Sequence, residues 1–133
     1  MCKVGDIILV DSYKHDEKVL SKHSFVVVFD EAGEIRGLPF DIACNVMSSF
    51  HSEEHKVKKL SFPGNFPVSY DDSDLTMTSP NQKDGYVKAE QLYLFNLSKI
   101  NYIVIGRMIQ ETFDELVEFI ESLPTHEFIA DNL

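Results

Sequence analysis

Basic side chains are concentrated in one short stretch of the chain. The stretch contains two histidines and three lysines: His51, His55, Lys56, Lys58 and Lys59. Clusters of this kind contact phosphate groups and provide much of a protein's affinity for nucleic acid. Glu53 and Glu54 lie in the same stretch and cancel part of its charge. The stretch therefore indicates either a phosphate-binding surface or an ordinary solvated face.

Three aromatic residues follow this stretch: Phe62, Phe66 and Tyr70. Exposed aromatic rings can stack on the bases of RNA. Rings of this size are more often core material, because they bury a large apolar area. The sequence leaves both interpretations open.

The histidine and cysteine spacings match no metal site. Five histidines occur without an HxH or HExxH pattern, and Cys2 and Cys44 form no CxxC pair. The chain also has no Gly-rich phosphate loop and no GxSxG motif. We therefore expect neither a metal nor another cofactor. Two isolated cysteines are typical of a cytosolic protein with reduced thiols, and no leader or membrane span is expected. These features predict a cytoplasmic protein.

The overall composition is strongly acidic. The chain has 22 Asp and Glu against 12 Lys and Arg, which gives a formal net charge of −10. Such a surface repels phosphate at long range. By composition alone, nucleic acid is a poor partner and a basic peptide is a better one, so RNA binding would depend on local basic patches. The length fits one domain spanning residues 1–133.

Short runs of β-branched and aromatic residues predict six strands. They cover Ile7–Val10, Phe25–Phe29, Ile42–Met47, Tyr86–Lys88, Leu92–Phe95 and Tyr102–Ile105. A later apolar stripe at helical spacing predicts one amphipathic helix near residues 111–123. Its members are Phe113, Leu116, Val117, Ile120 and Leu123. Thr112 and Glu115 have capping-box spacing, although Gln110 could start the helix earlier, and Pro124 ends it.

Many short strands followed by one helix predict a mostly β fold with a C-terminal helix packed on one side. Residues 12–22 are expected to form a loop or the tip of a hairpin, residues 30–34 a turn, and residues 70–84 a third, long surface loop. Gly33 is expected to supply a positive φ, and the long third loop to be mobile. Asn96–Lys99 is expected to join two paired strands as a hairpin. Residues 125–133 are expected to fray.

Several segments, in order, resemble the MazF/PemK family. Gly5–Asp11 resembles its opening GDIVLVD strand, and His23–Val28 stands where the family has Arg-Pro and an apolar strand. Asn45–Ser49 stands where it has an apolar residue followed by Thr-Ser. Val87–Leu92, Ile100 and Ile105–Met108 resemble its closing strands and the approach to its last helix.

The resemblance covers residues 4–123. It implies a Src-homology-3-like β-barrel of the MazF/PemK/CcdB type that forms a homodimer. It also implies the toxin of a toxin–antitoxin system, a metal-independent endoribonuclease that cleaves single-stranded RNA and is neutralised by an antitoxin protein.

The resemblance also implies a set of site residues. His23 stands at the family's catalytic Arg and Ser48 at its catalytic Thr, so these two are the expected catalytic residues. The expected substrate-binding residues are Lys22, Ser24, Ser49, Lys56, Lys58 and Lys59. Histidine suits metal-free RNA cleavage because it exchanges protons near neutral pH. The alternative is a non-catalytic binding module on the same barrel. A pocket shared by His23 and Ser48 would favour catalysis.

Overall fold

The computed structural model describes residues 2–75 and 84–133. In these ranges the strands are β1 Asp6–His15, β2 Lys18–Phe29, β3 Gly33–Ile35, β4 Leu38–Phe40, β5 Ile42–Ser49, β6 Asn65–Val68, β7 Ser73–Leu75, β8 Gly85–Lys88, β9 Gln91–Phe95, β10 Tyr102–Met108 and β11 Glu127–Asn132. The helices are α1 Glu53–Leu60 and α2 Gln110–Ser122. All six predicted strands lie within observed ones, and the mostly β fold with a C-terminal helix is confirmed.

One curled sheet contains nine of the described strands. Its order is β11-β9-β5-β2-β1-β10-β7, with β8 paired to β5 and to β6. The concave face holds a cluster of aromatic rings in edge-to-face contact, formed by Tyr13, Phe25, Tyr93 and Phe95. The opposite face carries a second apolar core, which α2 covers. Alternation along each strand produces these two cores, because successive side chains point to opposite faces.

The first hairpin is longer than predicted. Residues 12–22 are mostly strand rather than loop, and the turn is confined to Asp16 and Glu17. Both residues have positive φ angles, 51° and 65°. A two-residue turn with this twist matches the twist of the strands that it joins, so β1 and β2 pair along nearly their whole length.

The expected turn at residues 30–34 is also displaced. Gly33 begins β3, and the positive φ angles lie at Arg36 and Gly37, which turn β3 into β4. A Cβ atom at Gly33 would lie only 2.6 Å from the Phe40 ring. Gly33 therefore packs closely under the Phe40 ring and does not supply the positive φ of this turn.

The polar residues after β5 form a helix, α1, that the sequence analysis did not predict. Ser52 caps it, because the Ser52 side chain accepts a hydrogen bond from the backbone N–H of His55. Glu53 and Glu54 lie in its first turn and Lys58 and Lys59 in its last. This order of charges complements the helix dipole. No residue of α1 is buried, so no apolar stripe marks it.

The helix α2 follows the predicted stripe, and both Phe113 and Leu116 are buried. The capping-box interpretation is wrong. Ile109 occupies the cap position without a side-chain bond. Thr112 lies inside the helix, is buried, and donates a hydrogen bond to Asp72 Oδ1 at 2.9 Å. The helix begins at Gln110, which is the earlier of the two starting points that the sequence offered.

The segment Asn96–Lys99 does not form a hairpin. It contains a 3₁₀ turn that carries the chain from β9 to β10, and β5, β2 and β1 lie between those two strands. The Leu97 N–H donates to Asp41 Oδ2 at 2.7 Å, and Leu97 and Ile100 pack on the concave core. Burial of these side chains therefore directs the chain across the end of the sheet.

The last residues do not fray. Glu127–Asn132 forms β11, which pairs in parallel with β9 and buries Ile129. The Asn132 side chain bridges to β1, because Oδ1 accepts from Lys14 N at 2.6 Å and Nδ2 donates to Lys14 O at 3.1 Å. Asn132 thereby connects one end of the curled sheet to a strand near its middle.

The expected loop 70–84 is ordered in its first part. Tyr70–Asp72 forms a 3₁₀ turn, and β7 pairs with the end of β10. Residues 76–83, where most of the predicted mobility falls, lie outside the described residues. Over the part of the chain that is described, neither helix has the length and hydrophobicity required to cross a lipid bilayer.

Candidate active site

The strands β2 and β5 separate at one end and leave a cleft. Their ladder ends at the pair Ser24–Met47. Beyond it, β2 pairs with β1, and β5 pairs with β8. A cavity of about 460 Å³, as bounded by the described residues, lies where they separate. Its apolar lining residues are Ile7, Leu9, Met47, Val68, Leu75 and Ile105. Its polar residues include Lys22, His23, Ser24, Ser48, Ser49 and His51.

The two expected catalytic residues meet in this cleft. His23 Nε2 lies 3.4 Å from Ser48 Oγ. Both residues are half-buried. By strand alternation they belong to the concave face, where the Tyr13 ring meets His23 edge-on with centroids 6.2 Å apart. The cleft exposes them because no backbone ladder joins the two strands at this level.

Burial and charge both disfavour protonation of His23. Desolvation is the larger cause that lowers the pKa of His23 below its ordinary value of 6.5, and the positive charge of Lys88 adds to it. A hydrogen bond with the Met47 backbone acts in the opposite direction. His23 is therefore neutral at pH 7, the state in which an imidazole nitrogen can accept a proton.

The expected substrate-binding residues of the two strands also line the cleft. Lys22, Ser24 and Ser49 all contribute to its wall. Lys22 is largely exposed, and its Nζ lies 3.9 Å from Asp11 Oδ1. Both partners face solvent, so this ion pair is weak and leaves the lysine able to turn toward a phosphate.

The three lysines of α1 do not line the cleft. They lie on the helix that follows it, where Lys56 approaches the Phe50 ring and Lys59 the Phe62 ring, each at 5.9 Å from the centroid. His51 connects the two regions, since it lines the cleft and its ring lies 4.5 Å from that of His55. The helix thus extends the cleft outward as a basic surface rather than forming part of it.

The three aromatic residues that follow the basic stretch do not share one role. The sequence left open whether they stack on a ligand or pack in the core. Tyr70 lines the cleft and is partly exposed. Phe62 is half exposed at the end of α1. Phe66 packs against Phe119 of α2, with ring centroids 5.3 Å apart, and belongs to the outer core. Tyr70 is therefore the ring placed to stack on a ligand in the cleft.

Lys88 is a functional candidate that sequence reasoning did not select. It is distant from His23 along the chain, and β8 brings it near by pairing with β5 at Met47 and Ser48. It lies in the segment Val87–Leu92 of the family resemblance, but that resemblance assigns no site role to it. Only the pairing of β8 with β5 places its charge beside the imidazole.

No group of three or more His, Cys, Asp or Glu side chains within residues 2–75 and 84–133 is arranged to hold a metal ion. No protein-family model, curated protein or solved structure matches the chain.

Proposed function

We propose that this chain is a metal-independent endoribonuclease that cleaves single-stranded RNA in the cleft between β2 and β5. The observation that carries the proposal is the approach of His23 Nε2 to Ser48 Oγ inside one cavity. The lowered pKa of His23 supports the role of a general base. The MazF/PemK resemblance points to the same two positions.

The proposed reaction requires no cofactor. His23 Nε2 accepts the proton of a ribose 2′-OH, and the 2′ oxygen attacks the adjacent phosphorus. The bond to the 5′ oxygen breaks, and that oxygen takes a proton from an acid. The products are a 2′,3′-cyclic phosphate and a 5′-OH end. His51 is the second imidazole of the cleft and is suited to the acid role.

Other groups in and around the cleft are suited to hold the strand. The Ser48 hydroxyl and the Lys22 ammonium can bind the phosphoryl oxygens, where charge develops during attack. Tyr70 can stack on an unpaired base. The lysines of α1 continue the basic surface beyond His51, which offsets locally the repulsion of a chain with net charge −10.

A wider biological role accompanies this activity in the proposal. The resemblance suggests a Src-homology-3-like barrel and a cytoplasmic toxin that acts as a homodimer and is neutralised by an antitoxin protein. An antitoxin that inhibits RNA cleavage would be expected to cover the cleft or to distort it.

The test is incubation of the purified protein with a long single-stranded RNA in EDTA, followed by mapping of the cuts. We expect discrete cuts that end in a cyclic phosphate. His23→Ala should lower the rate by roughly 10²–10⁴, the usual contribution of general acid–base catalysis. Ser48→Ala should have a smaller effect. Lys22→Ala should weaken RNA binding with a shallower salt dependence.

His126→Ala is the matched control, because His126 lies outside the cleft and is exposed. It should cut like the parent. An unimpaired His23→Ala variant with normal thermal stability would exclude catalysis at this site. If the parent never cuts across many RNAs and a wide pH range, the second candidate function is the better one.

That second candidate is a non-catalytic binding module. The apolar part of the cleft lining favours it, since six apolar side chains offer more to a hydrophobic ligand than to a phosphate. In that case the cleft should bind a ligand with an apolar group, and His23→Ala should change affinity without any change in covalent chemistry.

A further inference from the structure

A second cavity lies on the convex face of the sheet, away from the cleft. It has a volume of about 340 Å³ and lies between the C-terminal half of α2 and the outer faces of β9 and β11. Its main apolar side chains are Phe29, Leu92, Leu94, Val117, Ile120 and Phe128. We call it the α2 groove. It shares no lining residue with the cleft at His23.

Strand alternation explains why apolar side chains point into this groove. Tyr93 and Ile129 point to the concave core, so their neighbours Leu92, Leu94 and Phe128 point the other way. The helix α2 covers much of the convex face but ends at Ser122. Phe128 consequently remains 56% exposed and Phe29 44% exposed.

These exposed rings are held in place rather than carried on a loose tail. The backbone of β11 pairs with β9, and Asn132 fastens the strand to β1. A fixed apolar groove can bind a partner at a lower entropic cost than a surface that must first become ordered.

The charge around the groove is negative. Glu121 lines it and is the only charged side chain among its described lining residues. Across α2 there are five carboxylates, at Glu111, Asp114, Glu115, Glu118 and Glu121, and no lysine or arginine. The C-terminal end of a helix also carries a partial negative charge, and α2 has no basic residue in its last turn.

This negative charge narrows the kinds of partner that the apolar groove can bind. RNA and anionic lipid would both be repelled. A second copy of the chain would bring its own net charge of −10 to a surface that already carries the five carboxylates of α2. A cationic partner gains from the same field. Strand addition at the edge of β11 is also disfavoured, because Asn132 already bridges that edge to Lys14.

We infer that the α2 groove docks a basic amphipathic helix from a partner protein. The apolar face of the partner helix fills the groove over Phe128 and Ile120, and a lysine or arginine of that helix pairs with Glu121. Helices recognised in this way present apolar residues at i, i+3, i+4 and i+7. The inference is independent of RNA cleavage, since it uses none of the cleft residues.

The probe is a fluorescent synthetic peptide with leucine at helical spacing and lysine at the remaining positions. A second peptide has glutamate in place of every lysine. Fluorescence anisotropy should show saturable binding of the lysine peptide that weakens as salt is added, and no binding of the glutamate peptide. Equal binding of both peptides, or of neither, would overturn the inference.

Two substitutions locate the binding. Phe128→Ser should lower the affinity for the lysine peptide by about tenfold or more, as expected for a central aromatic contact. Glu121→Lys should lower this affinity by about tenfold, because the substitution reverses the charge at the docking point. Glu121 is exposed, so this variant is expected to fold normally and keeps the test decisive if Phe128→Ser unfolds.

Matched controls carry the same changes elsewhere. Glu111→Lys alters the same helix by the same charge at its far end, and Phe62→Ser removes an equally exposed ring at the end of α1. Both should bind the lysine peptide nearly as the parent does. If the controls weaken binding as much as the groove variants, the peptide senses net charge alone and the inference fails. It also fails if groove variants change the sedimenting mass, because a second copy would then occupy the groove.

Discussion

In the proposed alignment with the MazF/PemK family, His23 stands where that family has an arginine, a side chain of quite different chemistry. An arginine at this position carries a permanent charge and cannot take up a proton. A neutral histidine can, provided that its pKa is near or below the working pH. Burial and the Lys88 charge both maintain that neutral state. In the proposed reaction, this position therefore serves proton transfer rather than charge stabilisation.

The lowered pKa of His23 predicts how both activity and stability depend on pH. Between this pKa and the ordinary value of 6.5, the unfolded chain binds more protons than the folded chain. The contribution of His23 to stability is therefore complete above pH 6.5 and is lost as pH falls through the folded pKa. For activity, kcat/KM for RNA cleavage should rise with pH through that pKa and level off above 6.5.

Substitution of Lys88 tests the cause of this pKa. Lys88→Met keeps the apolar stem but removes the charge, so the pKa of His23 should move up toward 6.5. Nuclear magnetic resonance titration of the imidazole signals measures it directly. Lys99→Met is the control, because Lys99 lies in the 3₁₀ turn before β10 and is not among the groups that shift the pKa of His23. A His23 pKa that is equal in parent and Lys88→Met would contradict the assigned role of Lys88.

At the scale of elements, α2 positions one wall of the cleft. Thr112 donates to Asp72 Oδ1, and Asp72 Oδ2 accepts from Ser69 N at 2.6 Å. The Ile109 N–H donates to the Asp72 carbonyl at 2.8 Å. Ser69 and Tyr70 line the cleft, so the start of the helix fixes the segment that carries the stacking ring.

Thr112→Val should destabilise this connection. The valine is similar in shape but cannot donate, and it leaves a partly buried carboxylate oxygen without its partner. The expected loss is about 1–3 kcal/mol in the free energy of unfolding. Urea denaturation measures it. Thr125→Val changes an exposed threonine and should stay within about 0.5 kcal/mol of the parent. Equal stability of all three proteins would show that the Thr112 bond contributes nothing.

Closure of the sheet depends on Asn132 in a similar way. Asn132→Ala removes both bonds to Lys14 and leaves two backbone groups of β1 without these partners. We expect a loss of about 1–3 kcal/mol and faster amide exchange at Lys14. The exposed Asn101→Ala variant is the control. Unchanged exchange at Lys14 would mean that water replaces the asparagine without cost.

For the molecule as a whole, the main concentrations of basic and acidic side chains lie on different helices. The basic side chains near His51 extend the cleft, whereas the five carboxylates of α2 lie beside the convex groove. A chain with net charge −10 can therefore present one locally basic surface to RNA and one acidic surface to a cationic partner. The two proposed functions do not compete for the same residues.

Self-association is predicted at a third surface. The first half of β10 extends beyond its pairing with β7, and Ile103 and Val104 are 48% and 40% exposed there. Burying them against a second copy would form a homodimer, with sedimentation at about twice the chain mass of 15.2 kDa. Val104→Lys should yield monomers, whereas Val19→Lys, on the exposed hairpin, should not. A monomeric parent at micromolar concentration would refute this prediction.

The sequence by itself determined the elements whose burial follows a local period. β-branched runs such as Phe25–Phe29 predicted the central strands, and the stripe that begins at Phe113 predicted α2. These signals are local, because alternation and helical spacing reflect which side of a single element is buried. The helix α1 and the strand β11 were not predicted from the sequence, because neither has such a stripe. Helix α1 buries no residue, and β11 gains its order from pairing with β9.

Only the tertiary structure decided which elements meet. The resemblance suggested His23 and Ser48, but their approach in one cleft follows from the point at which β2 and β5 stop pairing. Lys88 acts on His23 through the register of β8 on β5, and the α2 groove exists because the helix ends before it covers Phe128. Strand partners, registers and the reach of a helix over a sheet are non-local properties. They depend on how the whole chain distributes its apolar surface, and no short stretch of sequence contains that information.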